Sequence, residues 1–415
     1  MPLPTATLTD QDARALIEER CITVTAGHRV GAEVEWFPVR GDDLSEPVDH
    51  ATVRSLIEAT PLRAGCRITY EPGGQLELSS PPLAGSAEVC EHVRADAGAV
   101  RAALATAGIA TAGFGFDPFR TAERVVDAPR YRAMEAFFDA DGPHGRQMMR
   151  STAAVQVNLD AGGAGEADRR WRLANAIAPM LGAAFANSPL ARGRPTGWRS
   201  TRLGTWWQMD RGRTWPAVSD AGIANDWARY ALSARVMMIR DRVDEYTPVV
   251  TPMTFGRWIA QGHPLGYPTE DDLVYHLTTL FPPVRVRGWL ELRFFDALPD
   301  PWWEAAVAVP AALLDDPDAS IRAEEACGPA ADLWYAAARS GLDHPVLVAA
   351  ANDCFRAALD AIPSVGPTAG THEVVREFAD RYVSRARTPA DDLLDRFHAG
   401  ALARPRDDVA ATVEA

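Results

Sequence analysis

The sequence predicts an α+β fold: an antiparallel sheet with one polar face, wrapped by helices. Three observations predict it. Stretches far apart in the chain, at residues 31–37, 71–81, 155–160 and 289–294, alternate apolar and polar side chains at the period of a strand. Segments of helical periodicity separate them. Beyond Pro301 the chain becomes Ala-rich and reads as helix. Alternating strands with one wet face are the mark of an antiparallel sheet.

Each element has a local reason. Thr9 or Asp10 is placed to cap a first helix over residues 10–20. The strand at 31–38 puts Glu33 and Glu35 on one face, roughly 6–7 Å apart, with Val34 and Trp36 on the other. A helix over 51–59 follows. Pro72-Gly73-Gly74 supplies a turn, because Pro sets φ and Gly tolerates φ > 0. Glu71 sits just before that bend, and Gln75, Glu77 and Ser79 share a face after it. Ser86 opens a helical run to residue 107, stopped by Gly108. Residues 113–118 read as a strand leaving into a loop, 130–140 as helix, and 142–145 as loop. Met148-Met149-Arg150-Ser151-Thr152 then leads into a strand at 153–160. A long helix over 166–186 is broken by Ser188-Pro189. Residues 191–220, rich in Arg, Trp and Gly without a sustained period, read as loops with short strands. Helices at 226–239 and 254–261, a capping-box-like start at Thr269 and a strand at 286–296 complete the core. No repeat or long linker divides the chain. Residues 1–415 are therefore expected to form a single domain, with a sheet core over about 22–300, a helical part over about 301–403 and a frayed tail after Pro405.

Composition narrows the function. The net charge of −14 and a pI near 5.2 argue against nucleic acid or an anionic membrane as partner. Every basic side chain is Arg; the sequence contains no Lys. Lys-dependent phosphate loops, Schiff bases and general bases are thereby excluded, and anion recognition falls to Arg, helix N-termini or metal ions. The five cysteines are widely spaced with no Cys-x-x-Cys pair, which fits reduced thiols better than a disulfide frame or zinc site. The N-terminus lacks the signature of a signal peptide, and no apolar run approaches the ~20 residues that span a bilayer. A soluble, cytoplasmic protein is expected.

The chemistry rests on oxygen ligands and arginines. No Walker-type loop, His-Glu-x-x-His motif or Gly-x-Ser-x-Gly elbow occurs, and none of the nine histidines has a catalytic spacing. The polar strand faces carry mainly Glu, Gln and Asn. Carboxylates gathered on one face repel unless cations sit between them, and hard oxygen ligands favour Mg²⁺ or Mn²⁺. Such a cluster suits a triphosphate, whose oxygens the ions bridge. Arg293, two residues from Glu291, is placed to steady a moving phosphoryl group. A kinase, a ligase working through an acyl phosphate and a nucleotidyl transferase all satisfy this reading. The arginines of residues 191–220 fit either a carboxylate or phosphate clamp or stacking on surface tryptophans.

At these residues the chain resembles the glutamate–cysteine ligase superfamily, in its plant-type and actinobacterial, ergothioneine-pathway branch. Glu33-Val34-Glu35 is similar to the family's metal-binding Glu-x-Glu. Glu71-Pro72-Gly73-Gly74-Gln75 through Glu77-Leu78-Ser79 looks like its most recognisable stretch. Arg130-Tyr131, Met134, Met148-Met149, Thr152 and Gln156 to Asp160 follow in the same order, then Arg202, Trp206, Asp210 and Arg213, and last Leu290-Glu291-Leu292-Arg293. At Leu203-Gly204 the chain departs from a more polar family pair. The resemblance implies a glutamine-synthetase-like catalytic fold, in which a curved, mostly antiparallel sheet forms a funnel wrapped by helices. It implies that ATP phosphorylates the γ-carboxylate of L-glutamate and that the amine of L-cysteine displaces the phosphate, giving γ-glutamylcysteine. By residue, it implies Glu33, Glu35, Glu71, Glu77, Gln156 and Glu291 as ligands of Mg²⁺ (or Mn²⁺) and through it of ATP. Arg293, with Glu291, would serve the catalytic step. Arg202 and Arg213 would grip substrate carboxylates, and Met149 and Thr152 would line the glutamate pocket. A carboxylate–amine ligase with another acceptor, and a non-catalytic nucleotide or amino-acid sensor, are the alternatives.

Overall fold

The alternating stretches pair into a seven-stranded sheet. The computed structural model describes residues 7–23, 28–121, 123–163, 165–242, 245–365 and 369–404; the tail after Pro405 lies outside them. The strands of the sheet are β1 (Val30–Arg40), β2 (Arg67–Tyr70), β3 (Leu76–Ser79), β4 (Ile109–Ala112), β5 (Ala154–Asp160), β6 (Val284–Val286) and β7 (Trp289–Asp296). Their order is β6-β7-β5-β1-β3-β2, with β4 pairing the far end of β1, and every pairing is antiparallel. Register gathers the polar residues. Glu35 lies opposite Glu77, Glu33 opposite Gln156, and Asn158 opposite Glu291. Residues directly opposite, or two apart along a strand, share a face, so all of these belong to one face of the sheet. Val34, Leu78, Val157 and Leu292, on the other face, are at most 1% exposed and belong to one large hydrophobic cluster.

That cluster includes the C-terminal helices. The helix Trp302–Asp315 is buried on all sides, as expected of a helix that is apolar all round. It packs on β5 and on the helices Ser86–Ala105, Pro345–Val365 and Ala369–Arg381. Arg94 grips Glu304 of this helix with two hydrogen bonds, of 3.0 and 2.6 Å. All five cysteines are buried and free. Among the described residues, no helix is long and apolar enough to cross a membrane.

Several elements differ from expectation. The strand expected at 286–296 is a hairpin, turned at Arg287-Gly288 with Gly288 at φ 85°, a conformation that suits Gly. The strand expected at 113–118 does not form; a strand lies before it at Ile109–Ala112, and Gly113 lies against the backbone of Leu298. The region 142–151 holds a helix, His144–Ser151, and Gly145 lets it press against Phe138. The helix expected over 226–239 is Ile223–Ser233, and Met238–Arg242 is instead a strand paired with Glu245–Pro248. The Arg/Trp-rich segment contains short helices at Thr201–Trp206 and Arg211–Thr214 beside a two-residue strand pair.

Candidate active site

Four carboxylates meet on the polar face. Glu33 and Glu35 come from β1 and Glu77 from β3. Glu71 comes from the turn between β2 and β3, closed by hydrogen bonds from Gly74 N to Glu71 O (2.8 Å) and from Glu71 N to Gln75 O (2.9 Å). The turn is pinned twice more: Gln75 Nε2 donates to Thr152 O at 2.7 Å, and the amides of Val125 and Val126 donate to Pro72 O. Gly73 lies so close to the Arg150 carbonyl that a Cβ there would sit 2.1 Å from its oxygen. The result is a cluster in which carboxylate oxygens of Glu35, Glu71 and Glu77 lie within 4.8 Å of one another. Few donors offset them. Ala154 N donates to Glu35 (2.8 Å), Asn158 Nδ2 to Glu33 (3.3 Å), and Thr69 Oγ1 and Ser79 Oγ to Glu77 (2.5 and 3.2 Å). Burial first, then mutual repulsion, raises the pKa of all four. Glu33 is pushed up to about 7 by burial and by Glu291 and Glu77, and Glu35 goes well above the carboxylate range through burial and through Glu71 and Glu77. Like charges directly opposite in a sheet destabilise it, so this pattern is costly as architecture.

The same face turns positive at β7. A register shift between Leu292 and Phe295 bends the strand and re-aims its side chains. Arg293 Nη1 donates to Gln156 Oε1 and to Glu291 Oε2, the latter at 3.0 Å. The Arg293 guanidinium lies 5.6 and 5.9 Å from the ring centroids of Trp206 and Phe281. Glu291 is fully buried and ringed by Arg285, Arg287 and Arg293. Burial alone would raise its pKa, but Arg285 and Arg293 overcome that and hold the carboxylate well below its usual range.

Glu33, Glu35, Glu71, Glu77, Met149, Thr152, Gln156, Arg202 and Arg293 line one cavity of about 290 Å³. Arg202 is 2% exposed. Its Nη2 donates to Arg293 O at 2.7 Å, while its Nη1 is buried without a hydrogen-bond partner, 4.0 Å from Asp296 Oδ1. Three of the expected residues have protein partners of their own. Arg213 does not reach the cavity. It is fully buried and donates to Thr279 O, Thr279 Oγ1 and Arg235 O, because the short helix Arg211–Thr214 turns it into the core. Glu291 does not share the open cluster, since three guanidinium groups engage its oxygens. Gln156 is a bridge: its amide nitrogen donates to Glu33 (3.0 Å) and Glu35 (3.3 Å), and its oxygen faces Arg293. The departure at Leu203-Gly204 has a packing reason, because a Cβ at Gly204 would meet the Trp198 ring at 2.8 Å and Leu203 is buried. Arg285, Thr278 and Phe281 also line the cavity and were not singled out in the sequence. A signal for Arg285 existed in the alternation of Val284-Arg285-Val286. A larger cavity, of about 440 Å³, borders Gly73, Gly74 and Arg150. There Arg120 pairs with Asp117 and Arg150 with Glu135, and no cluster of carboxylates like that of Glu35, Glu71 and Glu77 is found at it among the described residues.

The chain is 42% identical over 385 residues to the glutamate–cysteine ligase EgtA of Mycolicibacterium smegmatis, covering 90% of this chain and 88% of that protein. It is 32% identical over 435 residues to the chloroplastic glutamate–cysteine ligase of Arabidopsis thaliana, covering 95% and 81%. A crystal structure of a bifunctional glutathione synthetase from Pasteurella multocida superposes with a TM-score of 0.50 at 15% identity, over 97% of this chain and 53% of that one. That likeness concerns the fold alone. Residues 29–408 match the model of the glutamate-cysteine ligase family 2 (GCS2), and the chain belongs to that family.

Proposed function

We propose that this protein ligates the γ-carboxyl of L-glutamate to the amine of L-cysteine at the expense of ATP. The products are γ-glutamylcysteine, ADP and phosphate, formed through γ-glutamyl phosphate, and the reaction opens ergothioneine biosynthesis in the cytoplasm. Residues 1–415 act as one catalytic unit; the hydrophobic cluster shared by the sheet and the C-terminal helices supports this. The observation that carries the reading is the division of one sheet face into an acidic end and a basic end around a single cavity.

The acidic end fits a divalent cation. Glu35, Glu71 and Glu77 present hard oxygens within reach of one centre, and such donors suit Mg²⁺ or Mn²⁺. Glu33 stands beside them. When bound, the cation neutralises and orients nucleotide phosphates. Gln156 ties Glu33 and Glu35 to Arg293 and so holds the two ends in register. Arg293, steadied by two aromatic faces and Glu291, offers a fixed positive charge to the phosphoryl group in flight. Arg202, in the wall of the same cavity, supplies a guanidinium for a substrate carboxylate. Met149 and Thr152 form the wall of the glutamate pocket.

The test is product identification. Purified protein is incubated with ATP, Mg²⁺, glutamate and a panel of amines including cysteine, and the products are read by mass spectrometry. A γ-glutamylcysteine product made with stoichiometric phosphate release supports the reading. Faster turnover with another amine would reassign the acceptor, and nucleotide binding without phosphate release for any amine would indicate a sensor.

A further inference from the structure

Asp296 is the buried acid nearest Arg202, yet it does not line the cavity. It ends β7, is 1% exposed and is fully supplied with donors: Asn187 N (2.8 Å) and Ser188 Oγ (2.7 Å) to Oδ2, and Ser200 Oγ (2.9 Å) to Oδ1. The two serine hydroxyls also accept from the amides that open the helix Thr201–Trp206: Ser188 Oγ from Arg202 N (3.2 Å) and Ser200 Oγ from Leu203 N (3.1 Å). The carboxylate is thus linked through two hydroxyls to the start of the helix that carries Arg202. Arg202 Nη1 itself lies 4.0 Å from Asp296 Oδ1, close enough to feel the charge and too far for a hydrogen bond. Space for the acid is reserved by Gly115, whose Cβ would sit 2.4 Å from the Asp296 carboxyl carbon.

Three donors hold Asp296 back from Arg202. Without them a carboxylate so near a guanidinium would take it in a direct pair, and Arg202 would shift in the cavity wall. We propose that Asp296 is a positioning residue: through Ser188 and Ser200 it sets the helix that carries Arg202, and its charge beside Nη1 fixes the place of that guanidinium in the cavity wall. This rests on the reading of Arg202 as the group that grips the substrate carboxylate. A displacement of an anchoring group by about 1 Å is enough to cost up to a hundredfold.

The test is a double-mutant cycle in the full-length enzyme, read as KM for glutamate against kcat. Asp296→Asn keeps the shape and removes the charge. It is expected to raise KM for glutamate roughly tenfold, with a much smaller fall in kcat. In an Arg202→Gln background the same change is expected to have almost no further effect on KM, since the two act through one group. Effects that multiply fully would make Asp296 a general structural residue and overturn the proposal, as would an unmoved KM in Asp296→Asn alone. If Asp296→Asn does not fold, Ser200→Ala carries the test: a severalfold rise in KM for glutamate supports the proposal and an unchanged KM overturns it. The underlying reading fails separately, if Arg202→Gln by itself leaves KM for glutamate where it was.

Discussion

Glu77 and Glu291 stand on the same face of one antiparallel sheet, three strands apart, and live in opposite surroundings. Glu77 faces Glu35 across the strands and has Glu71 as a neighbour; its nearest help is two hydroxyls. Glu291 has three arginines about it. Burial pushes both pKa values up, and the arginines alone reverse the sign at Glu291. The difference teaches that the number of carboxylates on a face says little about what binds there. What matters is which of them lack a counter-charge. The β1–β3 end lacks cations and the β7 end has surplus ones, and a ligand made of phosphates with divalent cations satisfies both at once.

The comparison breaks most directly at Arg293. Arg293→Ala is predicted to lower kcat by roughly a thousandfold, the scale of losing a fixed charge that acts on the transition state. A drop of less than about tenfold would remove Arg293 from the transfer step. Next come matched Glu→Gln changes. Glu33→Gln and Glu77→Gln should each cost on the order of a hundredfold in activity, while the cation-free protein melts at the same temperature or higher, because a repelled charge is gone. Glu291→Gln should do the reverse to stability. It strands Arg285, a buried cation, and breaking such a pair costs about 3–5 kcal/mol. Thermal melts of the three variants in the presence of a chelator decide the matter: equal shifts would show that the two ends are not electrostatically distinct.

How much of this could be read from the sequence depends on range. The period-2 alternation in residues 31–37 and 155–160 exposes Glu33, Glu35 and Gln156 as face-sharing residues, since that is local geometry. The turn at Pro72-Gly73-Gly74 and the position of Glu71 beside it are equally local. Register is not local. That Glu35 meets Glu77, and that Gln156 bridges to Arg293, comes from strand pairing over long loops. Arg285 escaped notice because residues 286–296 read as one strand, and a two-residue turn at Gly288 folds it back onto Glu291. The direction of Arg213 was not legible either, because a motif position does not tell which way a four-residue helix turns its side chain. The run Val236-Met237-Met238-Ile239 is apolar throughout, so periodicity does not separate strand from helix there.

The acidic end also predicts a pH dependence that the basic end does not share. Glu33 has its folded pKa pushed up to about 7 from an ordinary 4.5, by burial and then by Glu291 and Glu77. Between those values the folded chain keeps a proton that the unfolded chain has released, so stability falls as pH rises. Without divalent cation the melting temperature at about pH 8 should lie a few degrees below that at about pH 6. Cation binding needs the deprotonated form, so added Mg²⁺ should raise the melting temperature more at the higher pH and narrow the gap. A gap that Mg²⁺ leaves untouched would place its origin outside the carboxylate cluster.

The smallest effect on catalysis is expected at Arg213, and it marks where the site ends. Arg213 and Arg202 are both buried arginines of one short segment. Arg202 lines the cavity, whereas Arg213 does not and spends its two Nη groups on the Thr279 and Arg235 carbonyls and on Thr279 Oγ1. Arg213→Gln leaves those buried acceptors short of donors, at about 1–3 kcal/mol for each group left unsatisfied. It should therefore lower the melting temperature while KM for glutamate stays within about twofold, a split that separates lost structure from lost binding. Arg202→Gln should show the converse. A rise in KM for Arg213→Gln as large as that for Arg202→Gln would move the boundary of the substrate site outward, past the wall that Phe281 and Thr278 now form.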